Sequence, residues 1–460
     1  MGREYMRNIP IWFVIFLGLT LYCVIALGSI YDEKDKITFM EETLQGDIMA
    51  MDGLELDIDY CDYNYLWWDI NVSYSQGMEA DVSFKPLYER YSGNTIKNQV
   101  IIVGDSVYDE LNKVFEEMGN GIKEIKISDY ISYMSMNFAV SFDDFRRYEF
   151  EGDNDLYKIK VPESAVAIIE KEHNSYGVEI RDIPYVGRNL PSVVIGDRMY
   201  FTIPNLDMAN MALYQGIDSN DLEYELKSGI LSIPVDKNKK DDISYNEIKA
   251  HYPLELNQDS NQYIIGMEYI TEEGLIVLVT LEDNKIYGHL FDPSRDSLII
   301  KKEISQIPED KMLRYAFMNS QDNYLLVHYK YGKEVQSFEE VDYNYLVETY
   351  EIKNNDIVKI MGNDYLNKLD SKYKEYWYVD FNGLYYADNK MYLVGRDQRG
   401  VGEANTGLLL MGLNNEDILY FGSLNNSMME DYTIATTSID EPLLVRGMDR
   451  TIESFNIGFR

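Results

Sequence analysis

From about Tyr263 to the C-terminus, short apolar or aromatic runs alternate with tight polar turns. "QYIIGMEYI" precedes "TEEG" and then "LIVLVTL"; "RYAFMN" precedes "SQDN" and then "YLLVHYKY". "YWYVDFNGLYYA" precedes "DNK" and then "MYLVGRD"; "DYTIATTS" precedes "IDEP" and then "LLVRG". Each reads as strand, turn, strand, the rhythm of an all-β sandwich, barrel or propeller. Third and fourth strands follow in three of these units. "IYGHLF" turns at "DPSRD" into "SLIIKKEI", "NYLVETYEI" at "KNND" into "IVKIM", and "TGLLLMGL" at "NNED" into "ILYFGSL".

The second strands of the four units begin near Leu275, Tyr324, Met391 and Leu443. A four-stranded unit recurring roughly every fifty residues predicts propeller blades, because each unit buries its two faces only against its neighbours. "SVVIGDRMYFTI", "MALYQGIDSNDLEYEL" and "GILSIPV" supply a similar unit upstream, from Ser192 to Val235. The last unit lacks strands, so a segment from the N-terminal side, either "LYKIKV" or a strand within 48–84, is expected to complete it. Residues 32–155 are less regular. "QVIIVGDSVYDELNKVFEEMG" predicts a strand followed by a helix, which suggests a small α+β region ahead of a propeller-like domain at 156–460.

The turn dipeptides recur: "ADNK" at Ala387, "EDNK" at Glu282 and "IGDR" at Ile195. A ligand motif would keep one place in the unit. "DNK" joins first and second strands in one unit and second and third in another, so it reads as hairpin punctuation.

Ile9 to Ile30 carries no charge over 22 residues. About 20 such residues span a bilayer. Arg3 and Arg7 precede the run, which predicts a cytoplasmic stub at 1–8, a transmembrane helix at 9–31 and a bulk that lies outside the cell. A cleaved signal peptide, with Ala26-Leu27-Gly28 as its site, is the alternative. Cys23 lies in this run and Cys61 beyond it, so no internal disulfide is expected. The net charge of −37 repels phosphate backbones and argues against a nucleic-acid partner.

The single span, then Gly46-Asp47, Leu54 and Trp67-Trp68, then "KISDYISYMSMNFAVSF", resembles membrane-anchored, propeller-like proteins of Gram-positive gut bacteria. The resemblance implies a tethered β-rich protein and brings no activity with it.

Candidate chemistry is sparse. Gly104-Asp105-Ser106 at a strand end resembles block one of the GDS(L) esterases, whose serine attacks a carbonyl. That family needs Asp-x-x-His. Here His173, His251, His289 and His328 follow Glu170, Ile248, Ile286 and Leu325, so the triad is incomplete and Ser106 reads as a turn and helix cap. Asp57, Asp59 and Asp62 lie close in sequence, and "DKNKKDD" at 236–242 begins like a calcium loop but has Lys240 and Asp241 where a ligand and a glycine are needed. Ser320 and Asp322 match part of a sialidase Asp-box without its glycine or tryptophan. Trp67-Trp68 and "YKEYWYVDF" are candidates for a sugar platform, with strand packing the plainer reading.

No catalytic, cofactor-binding or metal residue is therefore assigned. The expectation is a mainly β, membrane-tethered binding or sensory module whose loops meet a protein, peptide or glycan. A surface hydrolase, acting through Ser106 or paired carboxylates at a propeller mouth, and a structural envelope subunit are the alternatives.

Overall fold

A computed structural model describes residues 38–62, 66–85 except 76, 99–103, 119–141 except 136, 147–151, 156–172 except 162, 175–181, 189–206, 224–235, 243–257 except 245 and 246, 261–333, 343–373, 381–397, 407–426 and 450–460, together with 13, 15–25, 28 and 116. Ser106, His173, the 236–242 stretch and the "DYTIATTS…LLVRG" hairpin lie outside the described residues, as does nearly all of the helix expected after Val103.

The described residues form seven β-sheets. Sheet I joins Gly121–Lys126, Val166–Glu172 and Ser175–Arg181. Sheet II runs Asn189–Leu190, Gln99–Val103, Asn137–Ser141, Arg147–Glu151 and Ile243–Ser244, the last pair being parallel. Sheet III runs Ser192–Ile195, Arg198–Phe201, Tyr224–Pro234 and Lys249–Asn257, with Tyr157–Lys160 and Tyr133–Ser135 added.

Sheets IV and V are four-stranded antiparallel meanders. Sheet IV holds Gln262–Ile270, Leu275–Glu282, Lys285–Asp292 and Ser297–Gln306. Sheet V holds Met312–Gln321, Tyr324–Gly332, Tyr343–Lys353 and Asp356–Asp364. Sheet VI repeats the meander with Phe381–Ala387, Lys390–Asp397, Gly407–Leu413 and Ile418–Asn426, then adds Phe39–Gly46 from the N-terminal side as a fifth strand. Sheet VII begins with the C-terminal strand Arg450–Phe459 and continues with Leu54–Asp62, Leu66–Tyr74 and Met78–Lys85.

The strand within 48–84 thus meets the C-terminal strand, while "LYKIKV" pairs inside sheet III. Two ladders, 39–46 with 418–426 and 54–62 with 450–459, run across the 155/156 division.

The hairpins follow the turn chemistry. Asp283-Asn284, Asn354-Asn355 and Asp388-Asn389 all have positive φ at both positions. Each is a two-residue loop, closed by Glu282–Lys285, Lys353–Asp356 and Ala387–Lys390. That is the type I′ geometry, whose twist matches the strands and which Asn and Asp tolerate best after glycine. The three turns join second to third, third to fourth and first to second strands respectively, so the same chemistry serves three places in the unit.

Hydrophobic cores lie between consecutive sheets. Ile270, Val277 and Leu290 of sheet IV pack in one cluster with Leu325, Val327 and Tyr350 of sheet V. Leu326 and Val347 of sheet V pack with Leu393 and Leu409 of sheet VI. Tyr392 and Leu410 of sheet VI pack with Leu56 and Ile70 of sheet VII. Middle strands are buried on both faces, as in Leu275–Glu282 and Gly407–Leu413, which explains their continuous apolar runs. The first strands are different. Those of sheets III to VII lie against one another in chain order, and Met312–Gln321 remains half-exposed along nearly its whole length.

Residues 15–25 are helical, and the apolar side chains Phe16, Leu17, Leu19, Leu21 and Ile25 are exposed. Among the described residues no helix is long and apolar enough to cross a membrane.

Candidate functional site

Three polar clusters stand out in an otherwise apolar framework. The first joins sheets III and IV. Ser232 Oγ lies 2.6 Å from His251 Nε2, and His251 Nδ1 lies 2.5 Å from Asp296 Oδ1. Local backbone chemistry places each group. His251 is the unpaired residue of a β-bulge, since the register opposite Ile230 and Leu231 skips from Tyr252 to Ala250. Asp296 ends the Asp292–Ser297 turn with φ 53°, a left-handed conformation that aspartate tolerates. Lys249 Nζ binds the other Asp296 oxygen at 2.6 Å. The Lys249 bond, and after it the His251 bond, hold the Asp296 carboxyl below its ordinary range.

Serine, histidine and aspartate in line suggest nucleophilic catalysis, but the surroundings oppose it. Ser232 has 0% exposure, and only Asp296, whose side chain is 43% exposed, meets solvent freely. Ser232 sits in mid-strand, paired with Tyr200 on one side and Lys249 on the other, so its amide has no oxyanion to serve. Arg198 Nε donates to Ser232 Oγ at 2.8 Å, and so occupies a lone pair that a nucleophile needs.

The neighbouring sheets use the same position for plainer contacts. Lys302, on the fourth strand of sheet IV, donates to Asp356 Oδ1 (2.6 Å) and Ile357 O (2.7 Å) beside the third-to-fourth turn of sheet V. Asn363, on the fourth strand of sheet V, donates to Asn414 O (2.5 Å) in the corresponding turn of sheet VI, and Asn415 Oδ1 accepts from Gly362 N–H (3.0 Å). In all three cases the third-to-fourth turn of one sheet is latched to the outer strand of the sheet before it. Ser232, His251 and Asp296 form the most buried of these latches.

The second cluster faces the first strands of sheets IV, V and VI, from the first strands of sheets IV and V and from the segment after the second strand of sheet III. Asn205 Oδ1 accepts from Ile264 N–H at 2.6 Å, and Gln321 Oε1 accepts from Tyr386 N–H at 2.9 Å. Glu268 accepts the Ser320 hydroxyl at 2.9 Å and also the Ser320 backbone. Each side chain covers part of the open edge of the following sheet, where unpaired amides would otherwise face solvent. Burial pushes the Glu268 carboxyl up to about 7, and the Ser320 bonds offset only part of that.

The third cluster is in sheet V. Glu348 is fully buried and is bound by the Tyr350 hydroxyl and by Lys359 Nζ. Burial, reinforced by the Glu348 charge, raises Tyr329 and Tyr350 well above the ordinary tyrosine range. Both remain neutral, and the Tyr350 hydroxyl donates to the carboxylate.

The other residues singled out by sequence disperse. Asp57 accepts from Asn71 Nδ2 at 2.7 Å, and Asp59 from Ser454 Oγ at 2.7 Å, each bonded to a different neighbouring strand. Among the described residues no group of three His, Cys, Asp or Glu side chains is arranged to hold a metal ion. His289 is fully buried between Tyr252 OH (3.2 Å) and Thr280 Oγ1 (2.8 Å), and burial lowers it to about 4. His328 is fully buried beside Tyr365 OH (2.9 Å) and Phe381 O (3.2 Å), and burial lowers it to about 3. Trp67 and Trp68 are 7% and 0% exposed and pack as strand core, so they offer no sugar platform. Asp322 takes φ 53° in the turn between Gln321 and Tyr324.

No family model matches the chain, and no curated protein does. Among solved structures, Synechocystis apocarotenoid oxygenase aligns at 8% identity and a TM-score of 0.29, over 85% of this chain and 92% of that one. The GH93 alpha-L-arabinofuranosidase of Fusarium graminearum aligns at 6% and 0.25, over 66% and 92%. A protein from Lactobacillus plantarum aligns at 9% and 0.25, over 71% and 82%. At such scores these likenesses carry no argument about activity.

Proposed function

We propose that the chain is a β-propeller tethered to the membrane by its N-terminal segment and that it works outside the cell as a binding module for a protein, peptide or glycan. The observation that carries the reading is the chain-order contact of the first strands of sheets III to VII, ending in a sheet built from both ends of the chain. A ring of radial sheets accounts for this contact, for the cores between consecutive sheets, and for the half-exposed first strand of sheet V. Binding is favoured over catalysis because the one serine–histidine–aspartate line among the described residues is a latch whose serine is fully buried and already accepts from Arg198. The apolar, uncharged stretch from Ile9 to Ile30 supports the tether.

The test is the full chain in lipid nanodiscs, applied to glycan and peptide arrays, beside protease treatment of intact cells that express it. Saturable binding to one ligand class, with the bulk of the chain removed by external protease, supports the reading. Turnover of ester or glycoside substrates without such binding, or full protection from the protease, overturns it.

A further inference from the structure

The three side chains fasten consecutive seams, yet only one is ionisable. Asn205 and Gln321 fasten their seams as neutral amides, whereas Glu268 fastens its seam with a carboxyl. We propose that Glu268 is a proton-operated fastener between the first strands of sheets IV and V, closed when its carboxyl is neutral and loosened when it ionises.

The seam has little to offer a charge. Glu268 pairs across its own sheet with Val277, and two residues earlier in its strand Gly266 abuts Met318 of the facing strand. Its polar partner across the seam is Ser320. The charged groups on the strands packed nearby are engaged elsewhere. Glu282 binds Lys301, Arg314 donates to Lys333 O, Lys330 lies over the Tyr343 ring, and His328 bonds Tyr365 and Phe381. Among the described residues no cation forms an ion pair with Glu268. An ionised carboxylate here loses water and gains only the Ser320 donors, which is why burial dominates its titration.

The sign follows from linkage. A carboxyl whose affinity for the proton is higher in the folded state contributes stability in acid and loses it as pH rises through its folded value, here about 7. The seam is therefore tightest in acid, below the ordinary carboxyl range, weakens as pH rises toward about 7, and levels off above it. The device depends on the Glu268–Ser320 contact and not on the ring reading.

Hydrogen exchange of the full chain, corrected for intrinsic rates, tests it on peptides covering 262–270 and 312–321. Glu268→Gln keeps the shape and the acceptor but cannot ionise. Protection in native chain and variant is expected to match near pH 4, and the native chain is expected to fall behind by on the order of a hundredfold near pH 8.5. Parallel curves, or native protection that rises with pH relative to the variant, overturn the proposal. Ser320→Ala supplies an independent arm. Removing a donor to the carboxylate should move the native transition to higher pH, and an unmoved or lowered transition counts against the fastener.

Discussion

At the scale of single residues, the chain distinguishes geometry from chemistry. Asn389 holds φ 60° in a type I′ turn. Asn389→Ala is expected to cost about 1 kcal/mol, the penalty of a left-handed β-carbon, while Asn389→Gly should be close to neutral. Urea denaturation of the two variants measures the difference, and equal midpoints would refute the turn argument. The turn was legible because its requirement is local. The Ser232–His251–Asp296 latch was not, because its members lie on two strands and a turn, and only a bulge in the third dimension aligns them. Glu268 did leave a trace, as a lone acid inside the apolar run "QYIIGMEYI". His251→Leu leaves the buried Ser232 hydroxyl without its histidine partner and should cost about 1–3 kcal/mol. A serine-reactive phosphonate should leave Ser232 unlabelled in the native chain, and labelling there would restore the catalytic reading.

At the scale of elements, the turn-bounded hairpins of sheets IV and V were readable because apolar runs and turn residues specify neighbours in sequence. The pairing of Phe39–Gly46 with Ile418–Asn426 was not, since an edge strand carries no label for a partner hundreds of residues away. Within residues 32–155 the strands 54–62, 66–74 and 78–85 do pair as local hairpins, and among the described residues only Phe39–Gly46 and the outer side of Leu54–Asp62 find partners at the far end of the chain. The latches allow a graded prediction between sheets. The Lys302–Asp356 pair has side chains 38% and 45% exposed, so solvent screens it. Asp356→Asn, which keeps the side chain's shape, should therefore cost less than about 1 kcal/mol. His251→Leu, acting on a side chain 3% exposed, should cost more. If Asp356→Asn proves the more damaging of the two, burial does not rank the latches.

At the scale of the whole molecule, buried titratable groups oppose one another. His289 and His328 are held neutral, at about 4 and about 3, by burial. A histidine whose folded value is depressed contributes stability above its unfolded value, near 6.5, and loses it as pH falls, because the unfolded chain takes the proton first. Glu268, raised to about 7, acts in the other sense and gains stability over the same descent. From pH 8 to pH 4 the two histidines together lose roughly 6 kcal/mol and Glu268 returns roughly 3, at about 1.4 kcal/mol for each tenfold difference in proton affinity between folded and unfolded chain. These three groups therefore make the fold less stable in acid by about 3 kcal/mol, a large share of a typical total of about 5–15. His328→Gln retains an amide donor and acceptor for Tyr365 and Phe381 but cannot take a proton. Thermal melting between pH 8 and pH 4 should show the variant losing about half as much to its remaining histidine as the native chain loses to both. If the two curves descend together, His328 is not shielded in the folded state and the acid limb belongs to the carboxylates.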